Sequence, residues 1–152
     1  MTLLTGLNHV AILTADLDRF VAFYTRVFGM IEVFREDAPG MRHAILRIAD
    51  GTSWLHPLEI PGNEHGAARA KVFDRGHLDH IALMAASGAH FAELRGRLME
   101  AGATDGNVED LGAFHALWFQ DPDGMRGEVT LLLDPTLAGI HAPRPLTVPD
   151  AA

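Results

Sequence analysis

Cysteine is absent from the 152-residue chain, which excludes disulfides, thiolate nucleophiles and cysteine-bound zinc. Basic residues are sparse: twelve Lys and Arg against twenty Asp and Glu give a formal net charge of −8. They stand singly, so the chain lacks the cationic footprint that a nucleic acid or an anionic membrane surface requires. No apolar run approaches the roughly 20 residues needed to cross a bilayer. The stretch from Met1 to His9 has neither a basic segment nor a long apolar one, so no secretory leader is expected. A Gly-rich phosphate loop, a Gly-x-Ser-x-Gly elbow and an HExxH helix are missing as well. The expectation from these absences is an acidic, cytoplasmic, single-domain protein whose core needs no cross-links.

What is there is a repetition. Leu7-Asn8-His9-Val10-Ala11-Ile12 recurs as Leu78-Asp79-His80-Ile81-Ala82-Leu83, with the histidines 71 positions apart. Phe20 and Phe91 keep that offset, and Glu59 in Pro57-Leu58-Glu59-Ile60 matches Glu128 in Arg126-Gly127-Glu128-Val129, 69 positions on. Each half carries a histidine near its start and a glutamate near its end.

The element pattern repeats too. Residues 7–13 read as a buried strand. Thr14-Ala15-Asp16 supplies N-cap chemistry, Leu17, Phe20, Val21, Tyr24, Val27 and Phe28 follow at helical spacing, and Gly29 stands at the C-cap position. Strands are expected at about 30–36, 41–48 and 54–60, split by turn sequences at Asp37–Gly40 and Asp50–Ser53. In the second half a strand at 78–84 leads to Ser87 as N-cap, a helix with Phe91, Leu94 and Leu98 on one stripe, and a stop at Gly102. Strands at about 104–109, 113–120 and 126–133 follow, with Asp121-Pro122-Asp123-Gly124 as a turn between the last two. The fold class is therefore α+β: two paired βαβββ modules, about 5–60 and 77–133, within one domain spanning 1–135. The linker 61–76 is long enough to form a loop over a site. The Pro-rich tail 136–152 reads as a surface arm or an oligomer contact. Two such modules would pair as a curved sheet, helices on the convex side and a ligand on the concave one.

Strand alternation sorts the candidate residues by face. His9 shares a side with Leu7 and Ala11, while Val10 and Ile12 turn towards the helix. His80 lies with Ala82 and Met84, and Glu128 lies with Thr130, opposite Val129, Leu131 and Leu133. Glu59, facing away from Leu58 and Ile60, is expected to join them. Taken alone, a strand histidine or glutamate is more often hydrogen-bonded or solvated than ligating. The doubled order favours ligation: two imidazoles and two carboxylates make a divalent-metal set, His9, Glu59, His80 and Glu128. His56 and Glu64 lie close enough to replace Glu59. His115, on a face with Leu117 and Phe119, reads as a proton-relay residue or a pocket-wall histidine. His77 reads as loop, and His43, His65 and His141 have no supporting pattern. Trp54, Trp118, Phe34 and Phe114 read as pocket lining or plain core.

Residues 5–133 resemble the vicinal oxygen chelate superfamily, which includes glyoxalase I, methylmalonyl-CoA epimerase, extradiol dioxygenases, and fosfomycin- and bleomycin-resistance proteins. The resemblance rests on Leu7-Asn8-His9-Val10-Ala11, Phe23-Tyr24 with Phe28-Gly29-Met30, Asp79-His80-Ile81-Ala82-Leu83, and Phe119-Gln120-Asp121-Pro122-Asp123-Gly124 with Glu128. It implies paired βαβββ modules, a small-molecule substrate, frequently a homodimer, and a divalent metal (Ni, Zn, Co, Mn or Fe(II)) held by the same four residues. The implied chemistry is chelation of two adjacent substrate oxygens, with the metal as Lewis acid. A glyoxalase-like lyase or isomerase is the first expectation, with Glu128 as the catalytic base and His115 assisting. Two alternatives stay open. One is a small ring-cleaving dioxygenase, with Fe(II) on His9, His80 and Glu128, Glu59 off the metal and His115 near an aromatic substrate. The other is a metal-free drug-binding protein. Loops 35–42 and 61–76, with Arg35, Glu36, Met41, Arg42, Arg69 and Lys71, are expected to set specificity.

Overall fold

Asp16 opens the first helix because its side chain accepts a hydrogen bond from the Arg19 N–H at 3.0 Å, and Gly29 closes it in the left-handed conformation at φ 67°. Between them the stripe of Leu17, Phe20, Val21, Tyr24 and Val27 is buried, as amphipathic spacing requires. The computed structural model describes residues 3, 6–49, 51–67, 77–136 and 143–146. Arg69, Lys71, His141 and Pro149 lie outside these residues. The chain divides into two compact units, Met1–Arg69 with Pro122–Gly124, and Ala70–Asp121 with Met125–Ala152.

In the first unit the order is β1 (His9–Thr14), α1 (Leu17–Phe28), β2 (Ile31–Ala38), β3 (Met41–Arg47) and β4 (Trp54–Glu59), followed by a single 3-10 turn at His65–Ala67. The sheet runs β1-β4-β3-β2. β1 and β4 are parallel, the other neighbours antiparallel. Helix α1 covers the face that carries Ile12, Ala44, Leu46 and Leu55, each 7% exposed or less. The turn Pro122–Gly124 belongs to this unit through Asp123, which accepts from the Thr14 hydroxyl at 2.5 Å and pairs with Arg19.

The second unit repeats this arrangement with β5 (Ile81–Met84), α2 (Gly88–Glu100), β6 (Val108–Asp110), β7 (Phe114–Gln120) and β8 (Arg126–Leu132). Ser87 caps α2 by accepting from the His90 N–H. The sheet order β5-β8-β7-β6 matches β1-β4-β3-β2 position for position, with β9 (Arg144–Leu146) added beside β6. Both βαβββ modules are therefore present. Within the tail, expected as a surface arm or an oligomer contact, Arg144–Leu146 form the fifth strand of this sheet. Gly127 is needed on the helix side of β8: the Phe119 ring crosses it so closely that a Cβ would stand 2.2 Å from a ring carbon. Among the described residues no helix is long and apolar enough to cross a membrane.

Candidate metal centre

Ladder register decides which side chains share a face, because directly paired residues point the same way. In the second unit Glu128 pairs with Ala82 on one side and Trp118 on the other, so it stands on the face turned away from α2. Val129 and Leu117 stand on the opposite face, both fully buried. His80, immediately before β5, brings its Nε2 to 3.3 Å from Glu128 Oε2. Its other nitrogen, Nδ1, contacts Asp79 Oδ2 at 2.8 Å. A carboxylate can only accept, so Nδ1 carries the proton and Nε2 the lone pair that a metal requires. The Trp118 ring meets His80 edge-on with centroids 4.9 Å apart. Arg126 stacks over the same tryptophan, 3.6 Å from the ring centroid.

Glu128 is 4% exposed, and its Oε1 is buried without a hydrogen-bond partner among the described residues. Burial pushes its carboxyl above the ordinary range, opposed mainly by the nearby His80 imidazole. A buried carboxylate with an idle oxygen is costly unless a cation or donor meets it. Its donor chemistry suits a divalent ion, with the His80 lone pair beside it.

The first unit carries the matching pair, in a register the sequence conceals. Its open face holds His9, with Nδ1 2.7 Å from Asn8 Oδ1, so that Nε2 is again the available nitrogen. Ala11 pairs with His56, just as Ala82 pairs with Glu128. His56, not Glu59, is therefore the structural counterpart of Glu128. The His56 ring meets that of His9 edge-on at 5.7 Å between centroids. Burial lowers the His56 pKa from its ordinary value, assisted by the proximity of His43 and His9.

Glu59 stands on the other side of β4. It shares the helix-facing side with Leu55 and Pro57, both buried, and pairs with Thr14. Its Oε2 accepts from the Leu17 N–H at 2.7 Å and from Arg42 at 3.1 Å. The expectation that Glu59 joins His9 on the open face is thus corrected, because the sequence match that paired it with Glu128 is three residues out of register. An odd slip in a strand exchanges the two faces.

His115 lies on the face the sequence reading gave it, with Leu117 and Phe119, and that face is the helix-facing one, away from Glu128. It pairs with Leu131 there, where it cannot relay a proton to that carboxylate. Trp54 and Arg47 pair with each other and Trp54 pairs with His9, which gives one cross-strand row on the open face. Trp54 Nε1 and Arg47 Nε are buried donors without a hydrogen-bond partner among the described residues. The residue before each repeated histidine, Asn8 or Asp79, was a readable signal for the orientation of the rings. Among the described residues, no three His, Asp or Glu side chains form a metal-holding cluster. The donors occur as pairs, His9 with His56 and His80 with Glu128.

Comparison with known proteins agrees with this architecture. No curated protein sequence matches the chain. A glyoxalase/bleomycin resistance protein/dioxygenase domain from Frankia sp. EAN1pec is 26% identical, with 86% of this chain and 99% of that one covered at a TM-score of 0.74. A glyoxalase family protein from Enterococcus faecalis is 22% identical over 85% and 99% of the two chains, TM-score 0.68. A point mutant of the fosfomycin resistance protein FosX from Listeria monocytogenes, described in complex with Mn(II) and 1S,2S-dihydroxypropylphosphonic acid, is 19% identical over 84% and 92%, TM-score 0.62. With residues 6–129 also matching the family model of that name, the chain belongs to the Glyoxalase/Bleomycin resistance protein/Dioxygenase superfamily.

Proposed function

We propose that the chain is a divalent-metal-dependent lyase or isomerase acting on a small anionic substrate with two adjacent oxygens, with His9, His80 and Glu128 holding the metal. The observation that carries it is Glu128: a buried carboxylate whose Oε1 has no partner, beside a histidine whose proton is fixed on the far nitrogen. The FosX neighbour's complex with Mn(II) and a 1,2-dihydroxy phosphonate supports the same ligand chemistry. When bound, the metal supplies a Lewis acid that stabilises negative charge developing on a substrate oxygen. His9 and His80, steadied by Asn8 and Asp79, present Nε2. Glu128 Oε1 takes up the proton released from the substrate and returns it. Arg47 Nε and Trp54 Nε1 offer unused donors to the anionic end of the substrate. The family resemblance also implies a homodimer, which sedimentation velocity would read directly.

A second reading, a ring-cleaving dioxygenase, is favoured by one observation. Glu59 is engaged by Leu17 and Arg42, and without it the four expected ligands reduce to the two-His, one-carboxylate set typical of Fe(II) oxygen chemistry. Metal analysis of protein purified without chelators separates the readings. Stoichiometric Ni, Zn, Co or Mn, lost in Glu128→Gln, is the result expected of the lyase or isomerase. Iron with catechol-dependent oxygen uptake would replace it with the dioxygenase. No metal under any loading condition would overturn both and leave a drug-binding protein.

A further inference from the structure

On the open face of the first sheet a line of polar side chains leads to His9 from strands that contribute nothing to the proposed metal set. Glu36 on β2 places Oε2 3.0 Å from His43 Nε2, and His43 on β3 places Nδ1 3.0 Å from His56 Nε2 on β4. His43 is held in place by the Phe34 ring, 5.4 Å between centroids, and its side chain is 14% exposed. The chemistry of the groups orders the protons along this line. An ionised carboxylate only accepts, so His43 carries its proton on Nε2. A neutral His43 then has its lone pair on Nδ1, and can only accept there. His56 must therefore donate from Nε2, which leaves the lone pair of a neutral His56 on Nδ1.

We infer that Glu36 and His43 are positioning residues that fix His56 in its Nε2–H form and so make His56 Nδ1 a further ligand for the divalent cation beside His9. As a ligand His56 rests on the metal centre proposed above, whereas its tautomer is a property of the metal-free chain. The arrangement is the carboxylate–histidine support found behind metal-binding imidazoles, extended by one histidine. It also gives the β4 position facing His9 a donor in place of Glu59, which is occupied at the start of α1.

Two measurements test it. At pH 8, well above the ordinary imidazole range of about 6.5, long-range proton–nitrogen correlation spectra of the metal-free, nitrogen-15-labelled protein report the tautomer of each ring. The His56 signals are assigned by their loss in His56→Gln. The expected pattern is Nε2–H for His56, turning to a mixture of tautomers in His43→Phe. Nδ1–H in the wild type, or a pattern unmoved in His43→Phe, would overturn the inference. Zinc affinity by competition with a chromophoric chelator is the second readout. Glu36→Ala, at a side chain 56% exposed and so harmless to folding, should weaken zinc roughly 10-fold, and His43→Phe up to about 100-fold. Glu36→Gln, which retains an acceptor oxygen, should recover part of the loss. Zinc binding unaffected by His56→Gln would overturn the ligand role and leave the centre at His9, His80 and Glu128 standing. No zinc binding by the wild type would overturn both.

Discussion

A carboxylate beside the first turn of a helix is stabilised by the free N–H groups and the dipole there. Glu59 uses this: its Oε2 accepts from the Leu17 N–H and takes one Arg42 nitrogen. Glu128, on the corresponding strand of the other unit, has the opposite environment, with Oε1 buried and idle and Oε2 against His80. The two glutamates should therefore separate stability from metal binding. Glu59→Ala removes a cap-like acceptor, and should lower the unfolding free energy by about 1–2 kcal/mol while leaving the metal content unchanged. Glu128→Gln should release the metal, yet the metal-free variant should be no less stable than metal-free wild type at neutral pH, since burial disfavours the ionised carboxylate it replaces. Urea unfolding with parallel metal analysis reads both. Loss of metal from Glu59→Ala would return that residue to the ligand set.

Helix α1 is an element whose start is fixed by acidic groups from three places. Asp16 caps it, Glu59 reaches in from β4, and Asp18 in the first turn accepts from Arg35 at 2.5 Å and Arg42 at 2.9 Å. Hydrogen bonds from Arg42 and then Arg35 hold the Asp18 carboxyl below its ordinary value of 3.8. A depressed carboxylate pKa contributes stability that is present above the ordinary value and lost as pH falls through the lower folded one. Asp18→Asn should accordingly lower the thermal midpoint slightly at pH 7, and the difference should close below about pH 4. With the Asp18 side chain 65% exposed and those of Arg35 and Arg42 29% and 34% exposed, the pairs should also lose much of their effect in about 1 M salt, where screening acts over about 3 Å. A difference that persists in acid would assign it to packing instead. This helix was legible in the sequence because its caps and its apolar stripe agree. Strand β4 was not: Trp54, Leu55, Pro57, Leu58 and Ile60 place apolar side chains on both parities, so alternation alone does not say which side meets the helix. Only the pairing of Ala11 with His56 does. Strands β6 and β9, three residues each, are too short to show any period at all.

The chain as a whole is one βαβββ plan used twice, and the duplication says which departures matter. Equivalent positions keep their strand order, their leading histidine and the Asn or Asp that precedes it, but His56 in the first unit answers to Glu128 in the second. Folding alone gives no reason to place polar donors on these faces, where Glu128 is 4% exposed and burial of a polar group is costly unless it is met by a partner. On the proposed function, these donors serve a ligand that binds the folded chain and not the unfolded one, and such a ligand would stabilise by mass action. A cation at 100 times its dissociation constant adds about 2.7 kcal/mol. For a protein of this length that is a rise in thermal midpoint of about 5–10 °C. The proposed set of His9, His80 and Glu128 predicts one equivalent per chain, with His9→Ala and Glu128→Ala each abolishing that equivalent together with the whole thermal shift. Two equivalents, or a shift halved by each variant, would instead mean that His9 and Glu128 serve separate cations. Scanning calorimetry against metal concentration, with stoichiometry by elemental analysis, distinguishes the two.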